Sequence, residues 1–481
     1  MSRRRLALIV FVVVEATGAA MLSASLVGAV YQEWRDATLI AVAASVTVIV
    51  GELGRRFLRG QGELSTREAF AAVGISWLAM TAIGTLPFLV TGALSNLTDA
   101  FFEASAGFST TASSIIDPSD LDHAVLWWRS LTQWIGAAGI IFLSVAALPV
   151  FGIGRAHQFG RERGGQPPDP IKHRTRHLSE RLAVLYLGFT ALEALLLVFS
   201  DMDAFEAITH SFATMSTGGF GTRAESLAAF NPYAQWVAVA FMLIAGVSFA
   251  LHLRELRKPT AYIRSAELRL YGLIVGGAAL LLVWGRWSGG VGDAVREGVF
   301  SAVSIVTTTG FTNSDLGAWA PGLQIVLVVL MFTGGMAGSA SGSINTYRLS
   351  VLANSSRTGL RRLIHPLGVF RSRMGGKPVD DAVVHSVQAF FLFYMLAFVV
   401  GTLLLGVIQS GLGAGETFLT AVSGAASALG NIGPGLGAVG PSETYAAVPI
   451  AGKWVLSSLM IVGRLGIFPI VLLFTRELWR R

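Results

Sequence analysis

Ten apolar blocks, each near the length of a bilayer-crossing helix, divide the chain at about 6–30, 37–53, 67–93, 124–150, 180–200, 233–253, 268–287, 322–350, 382–409 and 448–475. This spacing leaves few folds open. Inside a bilayer each backbone polar group must find a partner within the protein, so apolar spans of this length are helices. Composition agrees: 53% of residues are hydrophobic and 14% are charged, against about 25% charged in soluble domains. The expected fold class is an all-α polytopic membrane protein. The first block has the outline of a secretory signal, with Arg3–Arg5 before it and small residues after it. With nine further blocks behind it, an uncleaved first helix is the simpler expectation. The chain has no cysteine, which excludes disulfides and thiolate metal sites.

The basic residues set an orientation. With the N-terminus in the cytoplasm, 29 of the 36 Lys and Arg residues fall in cytoplasmic segments. Only Arg35, Arg223, Arg286, Arg296 and Lys453 fall outside, and Arg129 and Arg464 lie within spans. One missing helix would invert every later loop, so this asymmetry supports the span count and places both termini inside. Net charge of +7 then reflects short basic loops, not an affinity for nucleic acid. The expected outer face is acidic, with Asp99, Glu103, Asp117, Asp120, Asp122, Asp203, Glu206, Asp293, Glu297, Asp315 and Glu416 on it. Such a face would concentrate cations at a pore mouth.

The last eight spans form four pairs. Between the members of each pair lies a segment rich in Gly, Ser and Thr, near 98–117, 202–222, 292–315 and 415–437. Each begins with a stretch that can form a half-helix, whose C-terminal end favours a cation. Irregular backbone at membrane depth is tolerated only where protein buries it or it lines a watery cavity. There its carbonyls can replace the water shell of an ion. The expected filter residues are Thr110, Thr111 and Ala112; Ser216, Thr217 and Gly218; Thr308, Thr309 and Gly310; and Asn431, Ile432 and Gly433. Four such loops in register and on one side predict a cation pore.

Several motifs now carry a family likeness. They are Asp99-Ala100-Phe101-Phe102-Glu103, Trp128-Arg129, Gln133-Trp134-Ile135-Gly136, Ser216-Thr217-Gly218-Gly219-Phe220, Thr307-Thr308-Thr309-Gly310-Phe311, Asn431-Ile432-Gly433-Pro434-Gly435 and Gly463-Arg464-Leu465. The chain resembles the Trk/Ktr/HKT superfamily of potassium transporters, and within it the TrkH-like bacterial branch. The resemblance implies potassium uptake across the bacterial inner membrane through one pore per subunit of a homodimer. It implies K+ at the filter residues, with one glycine layer per repeat, and a cytosolic nucleotide-binding partner of TrkA type. No nucleotide site or other organic cofactor site is evident on this chain. The resemblance also implies a gate in a break of the second helix of repeat 3. Gly334, Gly335, Gly338, Ser339 and Gly342 supply that break, and Asn345 and Arg464 are the polar gate candidates. A run of consecutive small residues does not follow the four-residue spacing of a packing face. A charge such as Arg464 inside a span normally faces a cavity or the bundle interior. Arg348 is expected to snorkel toward the cytoplasmic end.

The expected organisation is a helix pair at 1–60, pore repeat 1 at 61–153, a basic cytoplasmic linker at 154–179, and repeat 2 at 180–260. Repeat 3 with its gate loop follows at 261–352, then a second basic linker at 353–379 and repeat 4 at 380–481. Three residues depart from the family pattern. Ala112 replaces a filter glycine, Asn345 a lysine, and Gly466 a glutamate. In HKT relatives a serine at the position of Ala112 accompanies sodium transport, so a sodium-permeable or mixed pore stays open. Proton-coupled symport is a further alternative, for which the spans offer Glu15, Glu193 and His210. His210 reads first as a hydrogen-bonded pore-helix residue. Paired catalytic carboxylates, a metalloprotease motif and a nucleophile elbow are all missing from the sequence, so no enzyme is expected.

Overall fold

A computed structural model describes residues 3–58, 66–147, 171–255, 262, 264–287, 290–410 and 414–475. Two long apolar helices, Arg3–Val30 and Trp34–Phe57, come first and pack as a hairpin. Glycines set their separation: a Cβ on Gly51 would lie 2.6 Å from the Cβ of Glu15, and one on Gly54 would strike the ring of Phe11.

Four repeats follow, each a helix, a short pore helix and a second helix. Repeat 1 has Thr66–Gly84 continued by Leu86–Thr91, then Leu97–Phe108 and His123–Ala147. Repeat 2 has Ile171–Leu197, Ala204–Met215, and a second helix split into Pro232–Ala245 and Phe249–Glu255. Repeat 3 has Ala266–Arg286, Val291–Val306, Pro321–Leu330 and, after a long gap, Thr346–Ile364. Repeat 4 has Asp381–Ile408, Ala414–Gly430, and Ile450–Leu465 followed by Ile467–Phe474. The only sheet among the described residues is a two-stranded ribbon, Arg373–Met374 against Lys377–Pro378, turned by Gly375-Gly376.

The fold is the expected all-α polytopic one, with a correction to three spans. The segments 233–253, 322–350 and 448–475 are not continuous helices but break at 246–248, 331–345 and 466. Among the described residues, five helices are long and apolar enough to cross a membrane unbroken. Most of the basic segment 154–179 lies outside the described residues. The helix Thr346–Ile364 runs past residue 352, so the second basic segment starts as helix, not as linker.

Candidate functional site

The four pore helices end in the same way. The residue that follows each terminal turn is Thr110, Thr217, Thr308 or Asn431, and each is left-handed, with φ of 54°, 52°, 59° and 55°. The next amide reaches back to close a wide turn: Thr111 to Ala106 O (2.8 Å), Gly218 to Ala213 O (2.8 Å), Thr309 to Ser304 O (2.9 Å) and Ile432 to Ser427 O (3.0 Å). The left-handed residue donates to the carbonyl three residues back in every case. This is the Schellman ending, which usually takes glycine. Left-handed backbone costs a β-branched residue on the order of 1–3 kcal/mol, a strain that clusters at functional sites. The four residues are buried. Their carbonyls accept no hydrogen bond from a described residue. Each pore helix thus aims a buried, unpaired carbonyl out of its C-terminal end, where the helix dipole is negative.

The next layer breaks the symmetry. Gly219, Gly310 and Gly433 have φ of 75°, 81° and 122°, whereas Ala112 stays out of the positive region. By backbone register the partner of Gly310 in repeat 2 is Gly219, one residue beyond the expected Gly218. The triplet there is Thr217, Gly218 and Gly219, and Ser216 is the last turn of the pore helix. A Cβ on Gly219 would collide with Thr309 O, one on Gly310 with Ile432 O, and one on Gly433 with Ala112. The loops therefore contact one another in ring order. The Ala112 methyl lies 2.8 Å and 2.9 Å from where Cβ atoms on Gly219 and Gly310 would sit. The Ala112 amide donates across the ring to Ile432 O at 3.2 Å.

Side chains from outside the triplets hold the loops. Gln133, fully buried, donates to Gly218 O (2.7 Å) and accepts from Phe220 N (3.1 Å). Tyr445 and Ser113 donate to Gly433 O at 2.7 and 2.9 Å, while Gly433 N donates to Ser427 Oγ at 2.9 Å. Asn431 Nδ2 donates to Thr111 Oγ1 (3.1 Å) and Met460 O (2.8 Å). Beside the first loop Arg129 Nε pairs with Glu103 at 2.9 Å, and both are buried. Glu103 also accepts from Ile115 N, and Arg129 lies over the Phe220 ring at 4.2 Å. Sequence reasoning named Gln133 and Arg129 only as family landmarks and missed Tyr445, Ser113 and Ser427 as supports. No motif spacing announces them.

The segment 331–345 folds against the pore loops of repeats 3 and 4, near Thr308 and Asn431. Gly342 N donates to Thr308 Oγ1 at 2.8 Å. Gly334 and Gly338 have φ of 73° and 78°. Gly335 lets the chain pass Gly246, since a Cβ there would lie 2.6 Å from Gly246 O. Ser339 Oγ closes a tight turn to Met336 O. Arg464, 5% exposed, donates from Nη1 to Ala340 O at 2.7 Å. Its Nε and Nη2 have no partner among the described residues, in keeping with glycine at 466. Asn345 caps the helix Thr346–Ile364, accepting from Arg348 N at 3.0 Å. Arg348 does not snorkel: its guanidinium lies 3.8 Å over the Phe390 ring. Glu267, absent from the expected list, accepts from Ala337 N (2.7 Å) and Thr346 Oγ1 (3.2 Å), so one carboxylate ties the middle of the segment to the start of the helix that follows it.

The sequence profile of the TrkH family, described as cation transport protein, matches residues 39–266 and 288–480. The Trk system potassium uptake protein TrkH of Escherichia coli K12 is 33% identical over 430 residues, 87% of each chain. That of Halomonas elongata is 34% identical over 451 residues, 92% of each. The crystal structure of the potassium transporter TrkH from Vibrio parahaemolyticus superposes over the whole of both chains, with a TM-score of 0.88 at 31% identity. The chain belongs to the TrkH family. Members of this family are transporters, not enzymes.

On the side predicted to face outward, this TrkH-family chain has a cavity of about 150 Å³ that touches all four loops through Ala112, Gly219, Gly310 and Pro434. Part of the expected acidic ring is paired with cations. Asp99 pairs with Lys453 (2.6 Å), Glu206 with Arg223 (2.9 Å), Glu297 with Arg286 (2.6 Å) and Asp293 with Arg296 (2.7 Å). Four of the five outer basic residues thus pair with carboxylates on the pore helices. Asp203 serves as a helix cap. Of the expected acidic set only Asp117 lines the cavity, joined by Glu443. His210 Nδ1 bonds Glu206 O at 2.8 Å within its own pore helix, and the ring stacks on Phe311. Glu193 is fully buried in the first helix of repeat 2, and Glu15 lies beside Arg55 at 3.2 Å in the N-terminal hairpin.

Proposed function

We propose that this protein takes up potassium ions across the bacterial inner membrane through a gated, channel-like pore. One observation carries the proposal: four equivalent left-handed residues, Thr110, Thr217, Thr308 and Asn431, bring buried, unpaired carbonyls to the ends of four converging pore helices. Such a ring replaces the water shell of a cation without a charged side chain. Relatives named as potassium uptake proteins support K+ as the ion. The filter comprises Thr110–Ala112, Thr217–Gly219, Thr308–Gly310 and Asn431–Gly433. The gate is the segment 331–345, held by Glu267 at Ala337 and at the following Thr346, by Thr308 at Gly342 and by Arg464 at Ala340. The chain's basic-residue asymmetry supports both termini in the cytoplasm. Names that speak of a Trk system support further components, and the family likeness supplies a homodimer and a cytosolic TrkA-type nucleotide-binding regulator.

A second proposal has its own observation. Ala112 breaks the ring and engages Ile432 O, which favours a filter that admits Na+ as well. Flux in proteoliposomes separates the two, with K+ and Na+ gradients applied singly at clamped potential and at two pH values. K+ flux well above Na+ flux and indifferent to a pH gradient is expected. Comparable Na+ flux would establish the mixed pore. Flux that follows the pH gradient would replace both with proton coupling.

A further inference from the structure

The second helix of repeat 2 breaks at Gly246-Val247-Ser248, although this stretch holds no proline. The cause lies in another repeat. Met336 N donates to Gly246 O at 2.8 Å, Ala340 N donates to Ala245 O at 3.2 Å, and Phe249 N donates to Gly338 O at 3.0 Å. In an unbroken helix Ala245 O would accept from Phe249 N, and Gly246 O from Ala250 N. The gate segment has taken both acceptors and one of the donors. Ala245, Phe249 and Ala340 share one buried apolar cluster, so the contact is packed as well as bonded.

We propose that the gate segment and the break in repeat 2 are two halves of one switch. While the segment is in place, it completes the hydrogen bonds of the broken turn. When it withdraws, Ala245 and Gly246 recover Phe249 and Ala250 as donors, and 232–255 becomes one continuous helix. Backbone left unpaired at membrane depth is costly unless it faces a watery cavity, and a helix is the local way for one chain segment to satisfy itself. Opening is then a change of hydrogen-bond partner rather than a loss. This rests on 331–345 being the gate.

Ala250→Pro tests it. Ala250 is exposed and second in the lower helix, where its N–H has no acceptor within that helix. Proline is tolerated in a first turn but forbids the continuous helix. The variant should fold, hold the break, and lower K+ flux in proteoliposomes by about tenfold. Arg464→Ala, which frees Ala340 O, should raise flux in the same assay. Unchanged flux in Ala250→Pro beside raised flux in Arg464→Ala would overturn the switch and leave the gate standing. No rise in Arg464→Ala would remove the gate and the switch with it. The chain has no cysteine, so Ala245→Cys with Ala340→Cys provides a second, reversible test. Oxidation should stop flux and reduction should restore it. Undiminished flux after complete cross-linking would overturn the proposal independently of Ala250.

Discussion

The four pore loops and the four second helices are products of the same repeat, yet they have diverged to different degrees. The loops keep one backbone: each has a left-handed residue after the pore helix and an amide that reaches five residues back. The second helices keep almost nothing in common. His123–Ala147 is continuous, its counterpart in repeat 2 is broken for three residues, that in repeat 3 opens for fifteen, and that in repeat 4 turns at Gly466. Coordination of one ion at the centre of four subdomains requires matching geometry from all of them. Obstruction of a pore requires only one element to enter it, and the other three must make room. On the proposed function, symmetry is kept where the ion would be held and lost where its passage would be controlled.

The most damaging way to break the symmetric part is Gly310→Ala. The added Cβ would collide with Ile432 O at a backbone φ of 81°, in a ring already occupied by the Ala112 methyl. K+ flux should fall by about 100-fold or more, from left-handed strain of roughly 1–3 kcal/mol together with the clash. The protein should still elute as a folded species in detergent. Near-normal flux would show that this layer does not line the conduction path. Next in size is Arg129→Met, which leaves Glu103 as a buried charge without its cation beside the first loop, at a cost of about 3–5 kcal/mol. Thermal unfolding should move markedly downward, and the double variant Arg129→Met with Glu103→Leu should recover much of the loss. Equal instability of the single and double variants would mean that the pair holds the loop by shape and not by charge.

The sequence was most informative where composition alone betrays geometry. A Thr-Thr-Thr-Gly run between apolar spans has few explanations other than a buried loop, and a ten-residue run from Gly334 to Ser343, all Gly, Ala or Ser except Met336, is a poor ordinary helix. Register was harder. Ser216-Thr217-Gly218-Gly219 offers two glycines, and only the closing bond from Gly218 N to Ala213 O shows which of them matches Gly310. Features that depend on distant partners were not legible. Several outer carboxylates, among them Asp99, Glu206, Asp293 and Glu297, were read without their cations, and Lys453 lies 354 residues from Asp99. The break at Gly246 is invisible for the same reason: its bonds come from Met336, Gly338 and Ala340, and its own residues suit a helix. Glu267 resembles any acidic residue in a first helical turn until its bonds to Ala337 and Thr346 are seen.

The finest test concerns the one loop that departs from the other three. Ala112 avoids the left-handed region that its three counterparts occupy, and its amide turns to Ile432 O instead. The difference is one methyl group, and it acts in two ways. Alanine resists positive φ where glycine does not. The methyl also lies within about 3 Å of where side chains on Gly219 and Gly310 would begin, so it fills the space that those glycines leave open. Ala112→Gly removes both effects and permits the fourth loop to match the rest, releasing Ile432 O. The expected result is a rise of about threefold in the ratio of K+ to Na+ flux, under 1 kcal/mol of discrimination, with thermal stability nearly unchanged. A ratio that stays constant would mean that the ring discriminates through its left-handed threonines and Asn431 alone, and that the glycine layer serves only to let the four chains approach. A ratio that falls would mean that the methyl narrows the ring against hydrated Na+, making alanine at this position a selective element in its own right.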